Sequence, residues 1–145
     1  MTLDFSKEAD FVASFGDAWK RFQRSWEKHL SSIGLTRTEL RILRSLSANG
    51  PSPMARFAAE LYMTPASITS LVDRLEAEKL VERERISEDR RVVNVRITQK
   101  GLDSMGVGLK LYNQFISQAM KSLSKEEARQ LVALLTKLAE AASKD

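Results

Sequence analysis

Ser67, Ser70 and Arg74, with Thr64, Pro65, Ala66 and Thr69 beside them, have the types and spacing best suited to recognition chemistry. Threonine followed by proline starts a helix sharply: the hydroxyl accepts a free backbone N–H, and proline lacks a donor where none is needed. Small hydroxyl side chains on the front turns of such a helix let its backbone approach a DNA major groove closely. They can then hydrogen-bond base edges and phosphates, with the long guanidinium of Arg74 behind them. A partly exposed surface helix is the competing reading of the same residues. A second cluster, Asp89-Arg90-Arg91 with Arg83 and Arg85 nearby, falls at a charged hairpin tip. Arginines there suit the negative potential of a narrow minor groove, and Asp89 can brace one of them. Glu82, Glu84, Glu88 and Asp89 nearly offset the local arginines, so an ordinary solvated tip competes with that reading.

Catalysis and metal binding have little to work with. The chain has no cysteine and one histidine, His29, which excludes disulfides, thiolate metal sites and thiol redox sensing and leaves a histidine triad without support. It shows no nucleophile–base pair, metal-ligand cluster or glycine-rich phosphate loop, so an enzyme is not expected, and neither is a cofactor. The 145 residues carry a net charge of +4 with 43% hydrophobic and 29% charged residues, a globular composition with a mild preference for a polyanionic partner. Charge interrupts every apolar run well before membrane length, so no membrane span is expected and the cytoplasm is the default location.

The elements that must position these groups follow from periodicity. Ile68, Leu71, Val72 and Leu75 give the Thr64–Lys79 helix an apolar stripe that faces a core. Upstream, Phe11, Val12, Phe15, Trp19, Phe22, Trp26 and Leu30 follow helical spacing over about residues 5–33. A stripe this long and aromatic suits burial against a second subunit. Gly34 closes that helix, Thr36 and Glu39 form a capping box, Asn49-Gly50 ends the second helix, and Ser52 is expected to cap a third over Met54–Leu61. The tight turn at Tyr62-Met63 then makes a helix-turn-helix. Val93, Val95 and Ile97 alternate with Asn94 and Arg96 as one arm of a hairpin, a wing directly after the recognition helix. Thr98 caps the next helix, and Ser124 with Glu127 caps the last. The fold class is mainly α with a small β wing: a winged helix-turn-helix module (36–98) between an N-terminal dimerisation helix (1–35) and C-terminal dimerisation helices (99–145).

This order, with several short motifs, resembles the MarR family of bacterial and archaeal transcription regulators. The matching residues are Leu35-Thr36, Pro65-Ala66-Ser67-Ile68-Thr69, Leu71-Val72-Asp73-Arg74-Leu75-Glu76, Leu80-Val81-Glu82-Arg83, Asp89-Arg90-Arg91 and Ile97-Thr98-Gln99-Lys100-Gly101. The resemblance implies a triangular homodimer, a repressor by family habit, whose paired recognition helices enter successive major grooves of a palindromic double-stranded DNA operator. It also implies groove and phosphate contacts from Ser67, Ser70 and Arg74, wing contacts from Arg90 and Arg91, and further phosphate contacts from Arg83 and Arg85. The usual regulation is a small, often aromatic anion bound between the dimer helices and the DNA-binding module. Trp19, Lys20, Arg37 and Tyr112 resemble that lining. Similar proteins usually have glycine where Lys79 stands, so lysine implies modest backbone strain or a different exit from the recognition helix. The absence of cysteine removes the peroxide-sensing branch of the family, and a lone histidine argues against zinc sensing. A winged-helix module that binds another protein is the alternative function. Against it, the outer face of the recognition helix lacks the aromatic anchors of a protein hot spot.

Overall fold

In the computed structural model, residues 8–85 and 93–143 are described. Among these residues, six helices and three short strands run in the order α1 (Glu8–Ser31), α2 (Arg37–Asn49), β1 (Ser52–Pro53), α3 (Met54–Leu61), α4 (Pro65–Ala77), β2 (Val81–Arg85), β3 (Val93–Ile97), α5 (Gln99–Met120) and α6 (Lys125–Ala142). The chain divides into two compact units, 1–111 and 112–145, and the division falls within α5.

The first unit is built around the three helices that precede the wing. Ile42, Leu43 and Leu46 from α2, Phe57 from α3, and Ile68, Val72 and Leu75 from α4 are all buried, and Val81 and Val95 close the core from the sheet. Burying these side chains is the main favourable term holding α4 in place. The stripe of α4 therefore faces inward as its spacing predicts, with Leu71 half-buried at its edge. Thr36 and Glu39 form the expected capping box on α2, and Gly34 takes a φ of +73° after α1.

The sheet is antiparallel with the order β1-β3-β2. Ser52 pairs with Val95 and Pro53 with Asn94, while Val81 to Arg85 pair with Ile97 to Val93. Ser52 therefore does not cap α3. Its backbone is committed to the sheet, its hydroxyl donates to the Gly50 carbonyl at 3.0 Å, and Pro53 takes the N-cap position without a side-chain bond.

The start of α5 is fastened to the end of α4. The Thr98 hydroxyl accepts from Gly101 N at 3.0 Å and lies 2.8 Å from the Lys79 carbonyl, to which it donates. Lys100 Nζ donates to the Glu78 carbonyl at 2.7 Å. Gly101 is required here, because a Cβ at this position would lie 2.1 Å from the Leu80 carbonyl oxygen.

The second unit comprises the rest of α5 together with α6. Ser124 and Glu127 cap α6 reciprocally, and hydrogen bonds from the Ser124 backbone and hydroxyl lower the Glu127 pKa. No residue of α6 is buried, although Leu131, Leu134, Leu135 and Leu138 form one apolar stripe along it. No helix among the described residues is long and apolar enough to cross a membrane.

Candidate nucleic-acid interface

The front of α4 carries the predicted constellation. Thr64, in extended backbone at the N-cap, accepts from Ser67 N at 3.2 Å, and its hydroxyl lies 2.9 Å from that of Ser67. Thr69 donates to the Pro65 carbonyl at 3.0 Å and Ser70 to the Ala66 carbonyl at 3.2 Å. Thr64, Pro65, Ala66, Thr69 and Ser70 are exposed, and Ser67 is half-buried. A hydroxyl whose proton is spent on its own helix presents oxygen lone pairs outward. In that state it suits the exocyclic N–H groups of adenine or cytosine, and rotation of the hydroxyl supplies a donor instead.

Arg74 does not point away from the fold as a free guanidinium. Its Nη2 donates to the Gly34 carbonyl at 3.1 Å, and its Nε lies 3.1 Å from Glu39 Oε1. The other Glu39 oxygen, Oε2, accepts from the Thr36 backbone at 2.8 Å and from the Thr36 hydroxyl at 3.0 Å. One buried carboxylate thus joins the start of α2 to the recognition helix.

Arg83 is engaged in the same way. It donates to Asp73 at 2.5 Å and to Glu76, fixing the root of β2 against α4, while its backbone N–H also donates to Glu76 at 3.2 Å. The Asp73 hydrogen bond foremost, together with Glu76, raises the Arg83 pKa against the opposing effect of burial. Across the hairpin Arg96 pairs with both Glu82 and Glu84, so these two of the wing's acidic residues are held in local pairs. Arg85 is exposed at the last described residue of β2. Asp89, Arg90 and Arg91 lie outside the described residues.

Lys79 takes a φ of +61°. Leu80 N donates to the Leu75 carbonyl and Lys79 N to the Glu76 carbonyl, each at 2.9 Å. This is the Schellman closure that glycine usually serves. The helix therefore leaves by the ordinary route with a strained residue in it, the first of the two outcomes expected.

Of the residues expected to line an effector site, Trp19 and Arg37 come together. With its amide oxygen turned toward them, Gln23 accepts from Arg37 Nη1 at 2.6 Å and from Trp19 Nε1 at 2.8 Å. The sequence reading passed over Gln23, although its i+4 spacing from Trp19 placed both on one helix face. Lys20 is exposed on α1, and Tyr112 belongs to the second unit. A polar cleft lined by Arg41, Arg44, Ser45, Ala48, Asn49 and Glu60 contains none of these four residues. No group of His, Cys, Asp and Glu that could hold a metal occurs among the described residues.

A helix-turn-helix with an exposed, hydroxyl-rich second helix and an antiparallel wing behind it defines the winged-helix class of DNA-binding proteins. Residues 35–93 match the family model described as MarR family. The HTH-type transcriptional repressor MdtR of Bacillus subtilis is 26% identical over 137 residues, spanning 94% of this chain and 88% of the relative. The organohalide-sensing transcriptional regulator RdhR-CbdbA1625, solved with 2,4-dichlorophenol bound, superposes with a TM-score of 0.82 at 25% identity, over 97% of this chain and 82% of that one. The S. aureus MepR–DNA complex, 22% identical, shares the fold with a TM-score of 0.78 over 90% of this chain and 97% of that chain. Residues 35–93 carry the match to the MarR family, and the chain is a DNA-binding transcription regulator of the winged-helix class.

Proposed function

We propose that this protein is a homodimeric repressor whose two copies of α4 enter successive major grooves of a palindromic operator. The observation that carries the reading is the exposed front of α4, where Thr64, Pro65, Ala66, Thr69 and Ser70 face solvent and Ser67 lies at their edge. In this reading these residues approach base edges and the adjacent phosphates, while Arg85, Arg90 and Arg91 reach the flanking backbone or minor groove from the wing, with Asp89 as a brace. Arg74 and Arg83, already engaged inside the chain, act as struts that set the pitch of α4 and the root of the wing.

Dimerisation falls to residues 1–35 and 99–145, on either side of the DNA-binding region 36–98. Val12, Phe15 and Trp19 on α1 and Leu131, Leu134 and Leu138 on α6 leave large apolar area in water, more than scattered surface residues account for. A second copy is the occupant that a palindrome-reading protein requires. Repression is favoured by the relative MdtR, which is named a repressor.

Relief of repression is assigned to a small aromatic anion. The Trp19 indole N–H and the Arg37 guanidinium converge on one acceptor, the Gln23 oxygen, and a ligand carboxylate or phenolate can take its place. Lys20, exposed on α1, adds positive charge. The bound form of RdhR-CbdbA1625 contains an acidic phenol, 2,4-dichlorophenol.

The test is titration of the purified chain against duplexes from upstream of its own coding sequence, at two salt concentrations, with a scrambled competitor and light scattering of the complex. Salt-sensitive binding that prefers the upstream duplex, with two chains per site, supports the reading. Equal weak binding to every duplex, or one chain per site, contradicts it.

A further inference from the structure

Tyr62 occupies the turn between α3 and α4 with φ 54° and ψ 45°, in the left-handed region. Met63 N donates to the Ala58 carbonyl at 3.0 Å and Tyr62 N to the Ala59 carbonyl at 3.4 Å. This closure demands a left-handed residue between the helix and its exit. The end of α1 has the same closure, with Leu35 N on the Leu30 carbonyl at 3.4 Å and Gly34 N on the Ser31 carbonyl at 3.1 Å. There the left-handed residue is glycine, for which the conformation is free; for tyrosine it is disfavoured, because Cβ crowds the following carbonyl.

The side chain gains nothing inside the fold to offset that strain. Tyr62 is 96% exposed, the most exposed of the large hydrophobic residues described. Its ring lies in water, and its hydroxyl makes no hydrogen bond among the described residues. The fold uses only the backbone of this residue, a role that glycine or asparagine would fill better. Yet Tyr62 stands two residues before Thr64, the N-cap of the recognition helix, and so at the rim of the exposed face.

We propose that Tyr62 is a DNA-backbone contact, its ring lying against a deoxyribose and its hydroxyl donating to a phosphate on the strand that borders the groove occupied by α4. Tyrosine hydroxyls are regular phosphate donors. A protein partner suits the site less well, because a lone exposed ring beside hydroxyl-bearing residues lacks the pocketed apolar surround of a protein hot spot. The inference rests on the DNA-binding reading and adds a residue to it. Because the phenol is neutral, its contact releases no counterion. It strengthens binding without steepening the salt dependence.

The experiment compares wild type, Tyr62→Phe and Tyr62→Gly by thermal melting and by titration with an upstream duplex and a scrambled duplex at two salt concentrations. Tyr62→Phe is expected to melt with wild type and to bind both duplexes about two- to tenfold more weakly, the loss of one hydrogen bond, with an unchanged salt slope. Tyr62→Gly is expected to melt no lower than wild type and to bind more weakly still, so that stability and affinity separate. Wild-type affinity in both variants would overturn the contact while leaving the DNA-binding reading intact. A much lower melting temperature for Tyr62→Gly would overturn the premise that the side chain serves nothing inside the fold. Weakening confined to the upstream duplex would make the contact a base contact and overturn the backbone assignment. Absence of binding to any duplex by wild type would remove the DNA-binding reading and this contact with it.

Discussion

Arg74 Nε on the recognition helix lies 3.1 Å from Oε1 of Glu39, a carboxylate whose side chain is 1% exposed. The Glu39 carboxylate is shared: one oxygen caps α2 through Thr36, and the other faces the guanidinium. Because Arg74 also holds the Gly34 carbonyl, the end of α1, the start of α2 and the last turn of α4 meet at one ion pair. The angle at which α4 stands is therefore tied to the junction at which α1 ends.

Replacing Arg74 with alanine leaves Glu39 Oε1 buried without its counter-charge. Breaking a fully buried pair costs about 3–5 kcal/mol, and the half-exposed arginine brings the expectation down to about 1–2 kcal/mol. Urea denaturation of Arg74→Ala checks this. Unchanged stability together with a DNA-binding salt slope shallower by about one phosphate contact would return Arg74 to the DNA-contacting surface.

What was legible in the sequence was local. Thr36 with Glu39, Ser124 with Glu127, and Thr64 before Pro65 signal through residues three apart or adjacent, and all three caps are present in the structure. The apolar stripe of α4 was equally plain, since Ile68, Val72 and Leu75 need only one core to face. Contacts between residues far apart in the chain were not legible. Ser52 looked like a helix cap because its pairing with Val95 depends on a strand far later in the chain. The anchoring of Arg74 was not legible because its partners, Glu39 and the Gly34 carbonyl, reach it only after α2 packs on α4. The turn at Tyr62-Met63 was legible from the helix start at Thr64-Pro65, but its left-handed residue was not, since that position carries neither glycine nor asparagine.

Gly101 is the position at which close approach matters most. The carbonyl of Leu80, which also accepts from Thr98 N at 3.1 Å, occupies the space where a Cβ would stand. Gly101→Ala is therefore expected to destabilise the protein by about 1–3 kcal/mol, as overpacking against fixed backbone does. The checking measurement is its melting temperature. A variant that melts with wild type would mean that α5 can move away from Leu80 without cost.

Lys79 offers the opposite case. Its φ of +61° is left-handed, and its backbone N–H closes α4 on the Glu76 carbonyl. Lys79→Gly removes the Cβ strain but adds freedom to the unfolded chain, for an expected net gain of about 0.5–1 kcal/mol. Equilibrium denaturation measures it directly. A loss of stability would show that the lysine side chain contributes more to the fold than its backbone strain removes.

The central claim is that the hydroxyl-bearing front of α4 reads base sequence. Its most direct test is selection of duplexes from a randomised pool by wild type and by a Thr69→Ala, Ser70→Ala double variant. Both proteins should retain a palindromic preference, but the variant should lose discrimination at a few matched positions in each half-site, by about 1–3 kcal/mol for each base contact removed. An unchanged preference at every position, with binding weaker to all duplexes alike, would contradict the claim and assign that face of α4 to the phosphate backbone alone.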